Sequence, residues 1–143
     1  YARRAALTKK MFLDNGFHLV YSKDGDEPVS DGFFYTVGYG DMTGAQLMQD
    51  LMLCGICSIS LSLTGSMQNG VRICVSQLNR PEQFDLLNAR LELFKEIHSI
   101  TQTVILIKQR PDIGKDSLIQ AKILSYIRPL IIILSDALYY KHL

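Results

Sequence analysis

The segment that most limits how this chain can fold is residues 71–77. Val71, Ile73 and Val75 alternate with Arg72, Cys74 and Ser76. A period of two is the mark of a strand with one face buried and the other facing water or a ligand. Such a strand needs an apolar cover, and three helical patterns can provide it. In residues 2–15, Leu7 and Met11 lie four apart before the stop signal Asn15-Gly16. Thr43 can cap a helix carrying Leu47, Leu51 and Cys54, with Gly55 ending it. Asn79 or Arg80 opens a third, with Pro81 in its first turn and Phe84, Leu87, Leu91 and Phe94 at helical spacing to about His98.

Strand patterns fall between these helices. Phe17–Tyr21 is a short apolar run, and Gly32–Val37 is aromatic and β-branched. From Ser58 to Leu63, apolar Ile59, Leu61 and Leu63 alternate with serines. Residues 22–28, 38–41 and 64–70 read as polar or glycine-rich loops. The order α-β-β-α-β-β-α predicts an α/β fold, an α+β layer in which about four strands are covered by helices. A domain is expected over residues 1–98. Residues 99–143 form a tail of different character: a strand at Thr103–Ile107, a helix at Lys115–Ile127 and an apolar run at Leu130–Leu134, a β-α-β piece.

Composition narrows the function classes. The 143 residues are 48% hydrophobic and 20% charged, which suits a folded domain rather than a disordered chain. A net charge of +1 offers no field for nucleic acid or an anionic membrane surface. Three cysteines, an odd number set among apolar residues, argue for buried thiols in a reducing compartment and a cytoplasmic setting. Cys54 and Cys57 make a C-x-x-C, but no second pair follows, so no zinc site is predicted. His18, His98 and His142 make no ligand spacing. Asp24, Asp26 and Glu27 resemble the start of a calcium loop without the later glutamate. Ser58, Ser60 and Ser62 lack the G-x-S-x-G elbow of a serine nucleophile. Tyr1-Ala2-Arg3-Arg4 opens in mid-helix pattern with no signal peptide in view, so a longer parent chain is expected.

Thr36-Val37-Gly38-Tyr39-Gly40-Asp41 spells the TVGYG string of potassium-channel selectivity filters. A filter needs flanking membrane helices of about 20 apolar residues. Acidic residues precede the string, and the best apolar stretch after it, Leu51–Leu63, is broken by Gly55 and serines. The string is therefore expected to be a strand that ends in a glycine-rich turn.

Several segments in order carry a family resemblance. They are Arg3-Arg4-Ala5 opening a helix, Phe17-His18-Leu19-Val20-Tyr21, and Glu27-Pro28-Val29-Ser30-Asp31-Gly32-Phe33-Phe34. Then come Ser58-Ile59-Ser60-Leu61, Thr64-Gly65-Ser66, Gly70-Val71-Arg72-Ile73-Cys74, and the closing helix from Phe84 to Lys95. Together they resemble the C-terminal small domain of class I/II, fold-type I aminotransferases that depend on pyridoxal phosphate. The resemblance implies that Arg72 binds the α-carboxylate of an amino acid or 2-oxo acid substrate. It implies that Gly38, Tyr39 and Thr64 lie near that substrate; Thr64 stands where the family often has proline. It also implies a missing N-terminal large domain that holds the catalytic lysine and most of the cofactor's contacts, and a homodimer when complete. No catalytic or cofactor-binding residue is expected in this chain, and alone it is expected to be inactive.

The chemistry suits the role independently. A planar guanidinium makes two parallel charge-assisted bonds to a carboxylate, fixing orientation as well as affinity. The competing reading of Arg72 is an arginine on the solvated face of an edge strand. Tyr39 reads equally as a tyrosine in an exposed turn, and Thr64-Gly65-Ser66 as an ordinary turn. The competing reading of the whole chain is a non-catalytic α/β interaction domain.

Overall fold

The computed structural model describes residues 1–29 and 33–109, together with positions 118, 121, 124 and 125. Two compact units divide the chain, Tyr1–Lys95 and Glu96–Leu143. The first unit is a mixed α/β layer. Helix α1 spans Ala2–Asp14, α2 spans Gly44–Leu53 and α3 begins at Pro81 and runs to Gln109. Strands β1 (His18–Leu19), β4 (Phe34–Gly38), β5 (Ile59–Ser60) and β6 (Val71–Cys74) form one antiparallel sheet in the order β1-β4-β6-β5. With the two short strands β2 (Lys23–Asp24) and β3 (Glu27–Pro28) set aside, the element order matches the one expected from periodicity. Those two strands pair into a small hairpin where a loop is expected, with Val29 donating from its N–H to the Ser22 carbonyl.

Register explains the burial. Tyr35 faces Ile73 and Val37 faces Val71 across the β4–β6 ladder, and all four side chains are buried. Onto this face pack Phe12 of α1, Leu47 and Leu51 of α2, and Leu91 and Phe94 of α3. Aromatic rings knit the layer: Phe12 meets Phe17 at 5.0 Å, and Phe17 meets Phe94 at 5.1 Å between centroids. The first pair is edge-to-face and the second tilted; aromatic pairs add about 0.5–1.5 kcal/mol beyond the area they bury.

The β5 region departs from the alternation-based expectation. Pairing covers only Ile59 and Ser60, and Leu61–Thr64 turns into a 3-10 helix instead of extending the strand to Leu63. The cause is local hydrogen bonding. The Thr64 hydroxyl donates to the Leu61 carbonyl at 2.8 Å, and the Ser66 N–H donates to the same oxygen at 3.1 Å. Leu63, part of the apolar alternation of the strand pattern, is 72% exposed.

The stretch Thr103–Ile107 is also helical rather than extended, as the last part of α3. Once a helix has nucleated, each further residue adds one bond at low cost. The threonines fit it by back-bonding: Thr101 donates to the Ile97 carbonyl and Thr103 to that of Ser99, both at 2.9 Å. Of the helix expected at Lys115–Ile127, the four described positions are helical. The apolar run Leu130–Leu134 lies outside the described residues.

Helix α2 begins with a full capping box. Thr43 Oγ1 accepts from the Gln46 N–H, and the Gln46 side chain accepts from the Thr43 N–H. Its first residue, Gly44, lies against the sheet. A Cβ there would collide with the Gly70 carbonyl oxygen and meet Ser60 Oγ at 2.5 Å. Alanine is the better helix former by up to about 1 kcal/mol. Overpacking against backbone costs about 1–3 kcal/mol and should win. Gly44→Ala is expected to lower the denaturation midpoint, and Thr43→Ala to cost about 1 kcal/mol through the lost cap. A Gly44→Ala midpoint at or above that of the parent would contradict this packing.

Candidate functional site

Arg72 sits on β6, which has strands on both sides, so the edge-strand alternative does not apply. It faces Thr36 of β4 and Ile59 of β5. Because Val71 and Ile73 point into the helix-covered core, Arg72 projects from the opposite face. Phe34, Thr36, Ile59 and Cys74 share that face by strand parity. Phe34 is 38% and Ile59 42% exposed, so water reaches the face among the described residues.

The guanidinium is held but not neutralised. Its central carbon lies 4.5 Å from the centre of the Phe34 ring, a cation–π contact. Its Nε–H is buried and meets no acceptor among the described residues. No carboxylate among them pairs with it. A buried donor without a partner costs about 1–3 kcal/mol, more than the roughly 0.5–1 kcal/mol that an exposed cation–π contact returns. The terminal N–H groups of the guanidinium are not among the buried unpartnered atoms, so they are the donors an anion could reach while Phe34 supports the face.

Polar groups stand nearby along the chain. Thr36 Oγ1 accepts from the Tyr21 N–H at 3.0 Å. The Tyr21 hydroxyl meets Ser66 Oγ at 2.6 Å, tying the residue 64–70 loop to the end of β1. Thr64 is exposed at the end of the 3-10 helix, with its hydroxyl engaged by Leu61.

The other two expected substrate neighbours behave differently. Gly38 pairs with His18, whose imidazole lies across it; a Cβ at Gly38 would sit 2.5 Å from His18 Nε2. Tyr39 turns to the covered side of the sheet. Its ring lies 4.9 Å from Phe17 and 5.0 Å from Phe94. The fold therefore does not bring Tyr39 to Arg72. Phe34, which strand alternation alone does not single out, is the aromatic partner that Arg72 has. The β4–β6 register is the signal that finds it.

The TVGYGD string is resolved by the same geometry. Thr36–Gly38 is sheet, the Thr36 carbonyl accepts from the Val20 N–H, and the Tyr39 carbonyl accepts from the Met42 N–H. Among the described residues, no helix is long and apolar enough to cross a membrane. Nor does any group of three or more His, Cys, Asp or Glu side chains there suit a metal ion.

A separate cavity of about 710 Å³ lies between α1 and the start of α3, lined by Tyr1, Arg3, Leu7, Met11 and Phe84 among others. None of its lining residues belongs to the Arg72 face. The described lysines are exposed, apart from half-buried Lys9, whose ammonium lies 5.5 Å from the centre of the Tyr35 ring. Pyridoxal phosphate needs a lysine desolvated enough to act as an imine-forming amine. The described residues do not fit that cofactor by themselves.

Burial pushes the Tyr39 phenol above its ordinary value of 10.0. A pKa raised on folding favours the folded state fully below the unfolded value, and that contribution is lost as pH rises through the folded value. The parent should therefore lose stability above about pH 10 more steeply than Tyr39→Phe. Denaturation midpoints measured from neutral to strongly alkaline pH check this, and parallel profiles would contradict it. A scan against protein-family models returns no match to the chain, and a search of curated proteins finds no relative.

Proposed function

We propose that this chain is the carboxylate-recognising small domain of a pyridoxal-phosphate-dependent aminotransferase of class I/II. In this reading Arg72 holds the α-carboxylate of an amino acid or 2-oxo acid. The observation that carries it is the unpartnered guanidinium of Arg72, braced on Phe34 at the centre of the open sheet face. The ordered resemblance of residues 1–98 to the family supplies the reaction class. When bound, pyridoxal phosphate supplies an electron sink for amino-group transfer, and the lysine that carries it belongs to a large domain outside this chain. What this chain contributes is orientation. Two parallel N–H donors fix the plane of the carboxylate, and Phe34 limits the swing of the guanidinium. A reactant held in this way has already lost orientational freedom that would otherwise raise the barrier.

Affinity of the isolated chain should be low. Charge-assisted bonds contribute about 1.5–3 kcal/mol each, while association costs at least about 4 kcal/mol. The best case leaves about 2 kcal/mol of net binding, a dissociation constant on the order of 30 mM.

Calorimetry with a 2-oxo acid, and with the matching ketone that lacks the carboxylate, tests the reading. The acid should bind and the ketone should not. Arg72→Lys should bind the acid about tenfold more weakly through loss of the bidentate fork. Arg72→Met should abolish binding while leaving the denaturation midpoint equal or higher, because it removes a buried donor without an acceptor. Equal binding of acid and ketone, or a destabilised Arg72→Met that still binds, would instead favour an interaction domain in which Arg72 is structural.

A further inference from the structure

The β5–β6 register reaches beyond the strands themselves. Ile59 faces Arg72 and Ser60 faces Val71, and the Leu61 N–H donates to the Gly70 carbonyl at 2.9 Å. Each pair sums to the same register, so continuing it two residues outward sets Cys57 opposite Cys74. By strand parity both then lie on the open face with Ile59 and Arg72. Neither thiol is in a disulfide, and both are exposed, not buried as their apolar sequence surroundings predict; Cys74 Sγ lies 3.1 Å from Ser76 Oγ. Both also line one cleft of about 250 Å³, with Leu86, Leu87 and Arg90 of α3 among its other walls. The paired ladder stops at Ile59, so residues 57 and 58 are not zipped to β6.

We propose that Cys57 and Cys74 form a dithiol site that takes a small-molecule disulfide and closes to a cross-strand bond. Directly opposed residues at hydrogen-bonded positions of an antiparallel pair have Cα atoms about 5.5 Å apart. Disulfides span Cα separations of about 4.4–6.8 Å. Extending the ladder by two residues therefore brings the two Cα atoms within disulfide range.

The exchange balances. One cysteine, as thiolate, attacks a sulfur of the small disulfide; the disulfide's S–S bond breaks and one small thiol leaves, taking up a proton. The second cysteine, as thiolate, attacks the protein-bound sulfur. The Sγ–Sγ bond forms and the second small thiol leaves with the second proton. Two protein thiols are oxidised and one small disulfide is reduced to two thiols. Cys54 is the internal control. It is buried at the end of α2, and burial, with a further contribution from Asp50, pushes its thiol above the ordinary range, which disfavours the reactive thiolate. The inference does not depend on the carboxylate role of Arg72.

Oxidised glutathione is the probe. The intact chain is incubated with it, alkylated, digested without reduction and read by mass spectrometry. Alkylatable thiols should fall from the three free cysteines to Cys54 alone, with one Cys57–Cys74 linked peptide in a monomer. Cys57→Ser and Cys74→Ser should each lose the link and retain a glutathione adduct on the remaining exposed cysteine. Unchanged far-ultraviolet circular dichroism would show that both variants are folded. Stable adducts on both cysteines without a link would overturn the proposal. So would a link through Cys54, a link between two chains, or no modification.

Discussion

The ladder between β4 and β6 is the constraint on which the rest of the first unit depends. Tyr35, Val37, Val71 and Ile73 can be buried only if three helices gather on one side of it. Burying a side chain of this size contributes about 1.5–3 kcal/mol, so a one-residue slip, which would turn one strand's pair outward, would cost about 3–6 kcal/mol, comparable with the whole stability of a small domain. Pinning the register in this way has a chemical consequence. Whatever alternates with those four residues is pinned on the opposite face, and Arg72 is among them. Its position there follows from the burial of its neighbours and needs no interaction of its own.

Much of this was legible in the sequence, because the signals that set it are short-range and periodic. The alternation of Val71, Ile73 and Val75 marks both the strand and its buried face. Leu47 and Leu51 after Thr43 mark a capped helix, and the structure holds the full capping box. The failures lie where hydrogen bonding overrides pattern. Leu63 continues an apolar alternation but belongs to a 3-10 turn closed by Thr64. Thr103–Ile107 has the β-branched look of a strand, yet continues a helix that began at Pro81. The site is legible in part for the same reason. Arg72 can be placed from alternation alone, whereas Phe34 can be assigned to it only once two strands are in register. Tyr39 follows a strand end by sequence, but the side it takes is decided by Phe17 and Phe94, which come together only in the folded chain.

The two proposals place unrelated chemistries, a guanidinium and a pair of thiols, on the face that is open among the described residues. The residues that reach it are spaced by the pleat, not by any site. A guanidinium whose buried N–H has no acceptor is a poor contributor to stability and a good receptor for a carboxylate. On the proposed reading, one bidentate contact would provide orientation but only weak binding.

The most direct measurement of the central claim is the nitrogen-15 resonance of the Arg72 terminal Nη–H groups, observed while a 2-oxo acid is titrated into the labelled chain. An N–H that gains a carboxylate acceptor should shift downfield and exchange more slowly with water, with both changes saturating together. The backbone amides of Val71, Ile73 and Val75, behind the sheet, should move little. A resonance that stays in place while the acid is added to saturation elsewhere on the protein would contradict the account. It would mean that Arg72 is a structural residue of the open face and not the group that receives a carboxylate.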